Sequence, residues 1–386
     1  MATLEAMREA FLLDPDLVFL NHGSFGACPR EVFRVYQDWQ LALERNPVEF
    51  LGRRSAALLM DARAQLAAYL GAAPEHLVFL PNATTGVNTV ARALDLRPGD
   101  EVLGTDHEYG ACDETWRRVC AGAGAHYRLV EVPLPFERAR FADRLLAEVG
   151  PRTRLIFSSH ITSVTALTFP LAELCARARQ MGVLTLIDGA HAPGQLDLDL
   201  DALGADFYTG NCHKWLCAPK GSAFLHARPE HHERLQGLIV SWGHVDQGRG
   251  HEAYAGASWL ERHLQWQGTR DIAAWLTVPA AIAFQQRHDW GGHRTRCHAL
   301  AGEALREVVQ RYGLAPIGQD ADWLQMVTLP VPHHDAEALR AALFARGIEI
   351  PVTQHAGQRF VRLSVQAYND ADDIARLLAA LDQVAP

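Results

Sequence analysis

The chain has 386 residues, with 36 lysines and arginines against 45 aspartates and glutamates, which gives a formal net charge of −9. That length allows one large and one smaller domain, and the acidic balance argues against a dedicated nucleic-acid binder, which usually presents a basic face. Seven cysteines without disulfide-like spacing, an N-terminus unlike a signal peptide and no apolar run of about 18 residues predict a reduced, soluble, cytoplasmic protein without a membrane span.

The first part of the chain predicts an arm followed by helices. Residues 1–30 read as an extended N-terminal arm that ends in a loop punctuated by glycine and proline, LNHGSFGACPR. Residues 31–72 carry apolar side chains at helical spacing, and Pro47 interrupts them. We therefore expect helices on both sides of Pro47.

From about residue 75 to 230, short apolar runs alternate with helical stretches. The runs are residues 76–80, 101–105, 126–134, 153–160, 183–190, 206–210 and 222–227. Buried strands that alternate with helices predict an α/β fold, with a mostly parallel, seven-stranded sheet covered by helices on both faces. In such sheets, ligands bind beyond the carboxyl ends of the strands.

The C-terminal part predicts a smaller α+β domain. Residues 270–315 return to a helical pattern, and residues 317–386 mix short strands with helices. We predict three units: an N-terminal arm at 1–30, a large α/β domain at 31–270 and a small C-terminal domain at 271–386. Part of the N-terminal segment is expected to join the small domain.

A small polar loop, PNATTGVNTV, follows the first strand of the predicted sheet. A helix that starts near Thr85 or Gly86 would present free N–H groups and a positive dipole, which favour a phosphate. The hydroxyls of Thr84 and Thr85 could add donors. The same residues are also typical of an ordinary helix N-cap, so both interpretations stay open for this loop alone.

Two further strands lead to side chains that suit a flat, charged ligand. Tyr109 follows the run EVLGT and could cover the face of a planar ring, although a loop aromatic can equally pack on its own helix. Asp188 ends the apolar run LTLID, where a buried carboxylate needs a cation or strong donors. An N-capping aspartate is the alternative.

Lys214 lies between the last two predicted strands, in the segment GNCHKWLCAPKG. Its apolar neighbours Trp215 and Leu216 would lower the pKa of the amine by desolvation, which favours the free amine that imine formation needs. Most lysines in loops are simply exposed, and that alternative holds for Lys214 taken alone. The four elements occur in the order phosphate loop, aromatic residue, strand-end aspartate and loop lysine. Their joint appearance is stronger evidence for a binding site than any one of them alone.

These segments resemble fold-type I pyridoxal-phosphate enzymes, specifically the class V aminotransferases, over nearly the whole chain. DGAHAPGQ and YTGNCHKW carry the resemblance to the superfamily. LNHGSFGACP, NPVEFLGRR, NATTGVNTV and RLSVQAYND are most similar to isopenicillin N epimerase-like proteins. The resemblance implies the pyridoxal-phosphate-dependent transferase fold, pyridoxal 5′-phosphate as cofactor and an amino-acid-type small-molecule substrate, with no nucleic-acid or membrane partner.

The resemblance also implies residue roles. Lys214 would carry the cofactor as a Schiff base, Asp188 would partner the ring nitrogen, and Tyr109 would stack on the ring. The remaining cofactor-binding residues would be Ala83, Thr84 and Thr85 at the phosphate, His191 and Ser163 at the ring hydroxyl, and Asn211 and His213 beside the lysine. Gly268 and Thr269 match a loop that in relatives reaches the phosphate of the neighbouring subunit, which implies a homodimer with shared active sites.

For the substrate, the resemblance implies that Arg362 clamps the carboxylate, a task that suits bidentate pairing, with Asn21 and His22 nearby. The side chain of the substrate is expected to contact the N-terminal arm and residues 240–260. Cys212, His213 and Cys217 lack a second ligand pair at structural-zinc spacing, so no metal site is predicted.

Several reactions fit this set, since Lys214 can remove the α-proton as a general base in each. We rank an epimerase-like reaction first, a C–S lyase reaction like that of hercynylcysteine sulfoxide lyases second and transamination third. A catalytically inactive protein of the same fold is the non-enzyme alternative. Epimerisation needs a second acid, for which Tyr109, His22 and His355 are candidates. Desulfurase activity is not expected, because the stretch IEIPVTQHAGQRFVRLS before and around Arg362 holds no cysteine.

Overall fold

The computed structural model describes residues 4–244 and 258–384. Most of the segment 240–260, which the sequence assigns to the substrate's side chain, therefore lies outside the described residues. No helix in the described ranges is long and apolar enough to cross a membrane.

Twelve strands form three sheets in the described part of the chain. They are β1 (Val18–Phe19), β2 (Leu77–Leu80), β3 (Glu101–Thr105), β4 (His126–Val130), β5 (Thr153–Ser159), β6 (Leu184–Asp188), β7 (Phe207–Asn211), β8 (Ala223–Ala227), β9 (Met326–Pro330), β10 (Ile348–Glu349), β11 (Val352–His355) and β12 (Gln358–Ser364).

Helices connect and cover these strands. The longer α-helices are Leu4–Ala10, Arg30–Arg45, Ser55–Leu70, Ala83–Ala93, Gly110–Ala123, Phe141–Ala147, Leu171–Gln180, Val278–Arg287, Trp290–Tyr312, Ala336–Phe344 and Ala371–Asp382. Shorter α-helices lie at His22–Phe25, Pro47–Glu49, Leu200–Leu203 and Ala273–Leu276. Phe50–Arg54 and Glu261–Gln265 are π-helical, and 3₁₀ turns lie at Pro74–His76, Arg138–Arg140, Pro229–Arg234, Trp242–His244 and Asp320–Asp322.

The large sheet has seven strands in the order β2-β8-β7-β6-β5-β3-β4. β8 is antiparallel to both of its neighbours, and the other pairs are parallel. β2 to β7 therefore all run in one direction and end at the same edge of the sheet. The α/β fold predicted from the sequence is confirmed, and each of the seven predicted strands is present.

Both faces of this sheet are buried, as expected when helices cover a parallel sheet on two sides. Leu103, Ile156 and Ile187 point to one hydrophobic cluster, whereas their chain neighbours Val102 and Leu155 point to another. All five side chains are fully buried. The alternation along each strand follows from the two-residue period of a strand.

The smaller unit is built on the antiparallel sheet β11-β12-β9. The helices Trp290–Tyr312, Ala336–Phe344 and Ala371–Asp382 supply apolar side chains to a third cluster, to which Val18 and Leu20 of the N-terminal segment also belong. Trp275, on a helix that follows residue 270, packs instead with the large sheet's cluster. The domain boundaries drawn from the sequence stay a prediction.

The N-terminal arm differs from the extended segment that the sequence predicts. Leu4–Ala10 is a helix, for which leucine, glutamate, alanine, methionine and arginine all have high propensity. Met7 is fully buried, and Arg8 forms ion pairs of 2.9 Å with Asp370 and 3.1 Å with Asp373. This anchoring holds the start of the chain against the C-terminal helix.

Candidate active site

A cavity of about 330 Å³ opens at the edge where the parallel strands of the large sheet end. Nine predicted site residues line it: Ala83, Thr84, Tyr109, Ser163, Asp188, His191, Asn211, His213 and Lys214. Its wall also includes Gly221, whose lack of a side chain would let the backbone pass close to a cofactor, and residues that the sequence did not single out, namely Ser24, Phe25, Pro81, Asn82, Ser159, Ile161, Ala190 and Lys220. Five parallel strands thus bring most of the predicted site together.

Lys214 lies in the tight loop between β7 and β8 and is half-buried. The pKa of its amine is lowered to about 8, because desolvation and the charge of Arg362 outweigh the opposing effect of Asp188. Gly26 permits the close packing: its φ is +68°, and an added Cβ would lie 2.0 Å from the carbonyl oxygen of His213. The direction of this shift agrees with the desolvation expected from Trp215 and Leu216, and the role of Lys214 stays a prediction.

Two hydrogen bonds define the proton positions around His191. The indole N–H of Trp215 donates to Nδ1 of His191 over 3.2 Å, and Nε2 of His191 lies 3.2 Å from Nζ of Lys214. Burial holds the pKa of His191 well below its usual value, so the ring is neutral. With the indole N–H donating to Nδ1, a neutral His191 carries its ring proton on Nε2. That proton faces Nζ of Lys214, an arrangement that suits the free amine as acceptor.

Asp188 is the last residue of β6 and is 5% exposed. Its Oδ1 accepts the N–H of Ala190 over 2.9 Å, while its Oδ2 meets only the weak thiol donor of Cys112 at 3.7 Å. Burial raises the pKa of this carboxyl, opposed by the Ala190 hydrogen bond and the charge of Lys214. An under-coordinated buried carboxylate beside a cavity fits a cationic ring N–H, such as that of a pyridine.

Glu108 lies close to Asp188, and no sequence motif identifies it as a residue of the site. Its carboxyl accepts hydrogen bonds from the hydroxyls of Thr105 and Ser159, each over 2.6 Å, and from the Ser159 N–H over 2.8 Å. Burial nevertheless raises its pKa to about 8, with the negative charge of Asp188 contributing. Burial and the nearby Asp188 therefore both disfavour a charged Glu108.

The polar loop after β2 forms a helix N-terminus, two residues earlier than predicted. Asn82 caps the helix that begins at Ala83, since its Oδ1 accepts the Thr85 N–H over 2.8 Å. The Ala83 N–H donates to the side chain of Asn211 over 2.9 Å. Among the described residues, neither the N–H nor the hydroxyl of Thr84 has a hydrogen-bond partner, so both are free for an anion.

Thr85 does not line the cavity. Its backbone N–H and its hydroxyl both donate to the side chain of Asn82, which caps the helix. Lys220, in contrast, lies on the cavity wall, where its ammonium donates to the carbonyl of Gly26 over 3.0 Å. It adds a positive charge that the sequence offered no motif to identify. The loop therefore combines free donors with a nearby cation, the chemistry of a phosphate site.

Arg362, on β12, lies behind the cavity wall and is 5% exposed. Its guanidinium donates to the carbonyl and hydroxyl of Ser163, over 2.5 and 3.2 Å, and to the hydroxyl of Ser24 over 3.0 Å. Burial lowers its pKa to about 10, so it stays charged at neutral pH. Within the described ranges it has no carboxylate partner, and its Nε has no hydrogen bond. A buried cation without a counter-ion suits a carboxylate ligand.

Other predicted residues support the site from outside the cavity. Asn21 accepts a hydrogen bond from Ser24, 2.5 Å away, and donates to Glu349 over 3.1 Å. His22 bonds to the hydroxyl of Tyr368 at 2.9 Å and to the carbonyl of Lys214 at 3.1 Å, and burial lowers its pKa to about 3. His22 thus holds the Lys214 loop as a neutral ring.

The remaining predicted residues differ in exposure and position. Tyr109 is 45% exposed and lines the cavity. His355 packs against His107, with ring centroids 3.9 Å apart and the ring planes tilted by 31°, and does not line the cavity. Gly268 and Thr269 also lie outside the cavity wall of the described chain, and an added Cβ on Gly268 would meet open space.

All seven cysteines are buried and unpaired, and none lines the cavity. Burial raises the pKa of the thiols of Cys112, Cys212 and Cys217 above their usual range. These are packing cysteines rather than nucleophiles.

Comparison with known proteins identifies relatives over the whole length of the chain. The family model described as "Aminotransferase class-V" matches residues 27–377. An isopenicillin N epimerase of Streptomyces clavuligerus is 40% identical over 99% of this chain and 98% of its own. A probable chloroplastic L-cysteine desulfhydrase of Arabidopsis thaliana is 30% identical over 96% of this chain and 83% of its own. A solved complex of a cystine C–S lyase with its reaction product, cysteine persulfide, has a TM-score of 0.84 at 25% identity, covering 96% of this chain and 99% of that one.

Proposed function

The chain belongs to the class-V aminotransferase family, and from that premise we propose that it is a pyridoxal-phosphate-dependent, epimerase-like enzyme. It acts at the α-carbon of an amino acid or of a substrate that contains one. The relative from Streptomyces clavuligerus, named an isopenicillin N epimerase, supports this reaction type. An amino-acid moiety supplies the carboxylate that the buried, counter-ion-free Arg362 suits.

One observation carries the proposal: the amine of Lys214, whose pKa is lowered to about 8, and the under-coordinated carboxylate of Asp188 line one cavity. These residues fit pyridoxal phosphate, with Asp188 toward the ring nitrogen and His191 toward the ring hydroxyl. Thr84, His213 and Lys220 supply donors and charge for the phosphate. When bound, this cofactor provides an electron-withdrawing ring that stabilises negative charge on the substrate's α-carbon.

The chain's own residues then bind the substrate and move its proton. Arg362 binds the substrate carboxylate and so orients the α-carbon toward the cavity. The amine of Lys214 takes the α-proton, a role that its pKa of about 8 suits near neutral pH. The apolar neighbours of Lys214 keep water away from this exchange.

Epimerisation requires a second group that returns a proton from the other side, and Tyr109 is the best candidate. His22 holds the Lys214 backbone outside the cavity, and its pKa of about 3 makes it a poor acid–base group near pH 7. His355 packs on His107, also outside the cavity wall. Tyr109 lines the cavity together with Lys214 and carries a phenol that donates a proton.

The active enzyme is a homodimer with active sites at the subunit interface. Phe25 lines the cavity yet is 73% exposed. Large apolar side chains left in water at the mouth of a site are typical of a surface that a partner covers. Gly268 and Thr269, which lie outside the cavity of their own chain, would reach the neighbouring subunit's phosphate.

The test of the cofactor assignment is the visible absorbance band of lysine-bound pyridoxal phosphate. The purified chain should show the band, and borohydride should abolish it. The Lys214→Ala variant should lack it, whereas Lys220→Ala, which removes the other lysine of the cavity wall, should retain it. A persistent band in Lys214→Ala would refute the assignment of Lys214.

A C–S lyase reaction is the second candidate, supported by the relatives named desulfhydrase and C–S lyase. The two reactions separate when the same substrates are incubated in deuterium oxide. An epimerase exchanges the α-proton and yields both stereoisomers, whereas a lyase releases pyruvate and a sulfur-containing product. Pyruvate without any inverted substrate would exclude the epimerase function. Tyr109→Phe should reduce inversion more than it reduces α-proton exchange by Lys214.

A further inference from the structure

Two histidines and an aspartate come together at the edge of the large sheet opposite the cavity. β2 runs from Leu77 to the cavity and β8 runs away from it, so His76 and His226 lie at the far ends of these paired strands. Leu77 is directly opposite His226 in the register, which places the two histidine residues side by side. Asp201, on the helix Leu200–Leu203, faces both of them.

The spacing of the three side chains matches the spacing of ligands around a metal ion. Oδ1 of Asp201 lies 3.3 Å from Nε2 of His226 and 3.9 Å from Nδ1 of His76. The three ligand atoms all lie within 4.8 Å of one another. Tetrahedral zinc with bonds of about 2.0–2.2 Å to nitrogen and oxygen separates neighbouring ligand atoms by about 3.3–3.5 Å. The distance between Asp201 and His226 already falls in this range, and the side chain of Asp201 is 52% exposed, which leaves it free to rotate toward His76.

We propose that His76, Asp201 and His226 bind a divalent transition-metal ion such as zinc, at a site separate from the Lys214 cavity. Imidazole and carboxylate are ligands that zinc accepts, and three protein ligands leave a fourth position for water. The side chain of Asp201 is 52% exposed, so this position faces solvent. His226 is 2% exposed and held in β8, so one ligand is rigid before the metal arrives.

A second histidine–aspartate group in the described part of the chain lacks this capacity. Asp106, His107 and His355 also bring three ligand atoms within 4.8 Å. However, Nδ1 of His107 bonds to the hydroxyl of Thr165 and its Nε2 bonds to the carbonyl of Val132, each over 2.8 Å. His107 would lose a buried hydrogen bond on binding a metal. Among the described residues, Nδ1 of His76 has no competing hydrogen bond, and the 3.3 Å hydrogen bond between Nε2 of His226 and Oδ1 of Asp201 joins two of the proposed ligands to each other.

The ion would tie the start of β2 and the end of β8 to the helix Leu200–Leu203. Because these ligands are assembled only in the folded chain, binding stabilises the fold by mass action. The site has no contact with Lys214, so metal binding should leave the visible absorbance of the bound cofactor unchanged.

The experiment titrates zinc into the tag-free holoenzyme, after metal has been stripped and free cofactor removed, and follows the heat of binding and the unfolding temperature. We expect one zinc per chain and a higher unfolding temperature. His76→Gln and Asp201→Asn, both at partly exposed positions, should weaken binding more than about tenfold. His298→Gln is the matched control, because His298 pairs with Asp320 at 3.2 Å on the surface without a second histidine in its group.

Cobalt(II) identifies the ligands in the same protein. Nitrogen and oxygen ligation gives weak visible bands, whereas the strong thiolate charge-transfer absorption would point to a cysteine instead. The proposal fails if zinc does not bind, if His76→Gln and Asp201→Asn bind it as tightly as the parent, or if cobalt reports thiolate ligation.

Discussion

At the scale of single residues, the chemistry expected of Lys214 depends on its chain neighbour Trp215. Trp215 is fully buried and donates its indole N–H to Nδ1 of His191. That bond fixes the His191 tautomer with its proton on Nε2, directed at the amine of Lys214. Trp215 is therefore a positioning residue that acts on Lys214 through His191.

Trp215→Phe removes the indole N–H, so the His191 ring should no longer be held in one tautomer. We expect ¹⁵N chemical shifts of His191 in the cofactor-free protein to report mainly Nε2 protonation in the parent and a mixture of tautomers in the variant. Trp275→Phe is the control, because Trp275 is equally buried and donates to the carbonyls of Leu80 and Gly221 without touching His191. An unchanged tautomer in Trp215→Phe would contradict the assigned role, even if the variant loses stability.

The lowered pKa of Lys214 predicts the pH dependence of cofactor capture. Only the free amine forms the imine, so the capture rate in the cofactor-free protein should rise with pH through a midpoint of about 8. The nearby Arg362 lowers this pKa and Asp188 raises it. Arg362→Met should therefore shift the midpoint to higher pH, and Asp188→Asn should shift it to lower pH.

Stopped-flow absorbance measures these midpoints, and acetyl-lysine amide in the same buffers corrects for titration of pyridoxal phosphate itself. Because both variants also remove a binding group, the midpoint is compared and not the absolute rate. Shifts of both midpoints in one direction would contradict the electrostatic account.

The sequence predicts the residues of this site that sit in recognisable motifs at strand ends. Lys214 and Asp188 follow apolar runs whose carboxyl ends must share one sheet edge, so their proximity could be predicted. Lys220, Glu108 and Trp215 could not be assigned in this way, because their roles depend on which distant side chain each meets. The indole N–H of Trp215 finds its acceptor 24 residues away in the chain, on a different loop.

At the scale of elements, the helix Ala83–Ala93 contributes both stability and a binding surface. Asn82 caps it by accepting the Thr85 N–H, and Asn211 on β7 accepts the Ala83 N–H. Gly86 lets this helix approach β7 closely, since an added Cβ would lie 2.1 Å from Oγ1 of Thr209. The cap therefore fixes where the free donors of Thr84 point.

Asn82→Ala should cost about 1 kcal/mol of the free energy of unfolding and also weaken cofactor binding. The matched control is Asp335→Ala, which removes the cap of the helix Ala336–Phe344, where Asp335 accepts the Ala338 N–H over 3.0 Å. Denaturant unfolding should show similar losses for both variants. Dissociation of the cofactor should be faster in Asn82→Ala alone, and equal dissociation rates would contradict a phosphate role for this loop.

Strands that are buried on both faces can be predicted from the sequence. Strands that pair over only two residues cannot. Most strands of the large sheet are buried along nearly their whole length and read as apolar runs, whereas the edge strand β4 buries only Val130. β1 and β10 have two residues each, and their pairing joins positions 18 and 348. No local pattern encodes such a contact, and the helix Leu4–Ala10 was likewise missed because its single fully buried residue, Met7, leaves little apolar periodicity.

At the scale of the whole molecule, the proposed homodimer makes each active site depend on two chains. Lys214 would come from one chain and Thr269 from the other. Two defective chains should then complement each other when mixed, because a hybrid dimer contains one site with an intact Lys214 and an intact Thr269. This outcome distinguishes a shared site from a dimer that merely stabilises the fold.

Lys214→Ala removes the reactive amine, and Thr269→Glu places a negative charge where the partner's phosphate is expected, so each homodimer should be nearly inactive. Equal amounts, unfolded and refolded together, should form hybrids as half of the dimers, and about one quarter of all sites should be intact. Activity near that fraction, measured against parent protein refolded in the same way, would support sharing. If Thr269 instead served the cavity of its own chain, every site would carry one of the two defects and the mixture would be as inactive as its components.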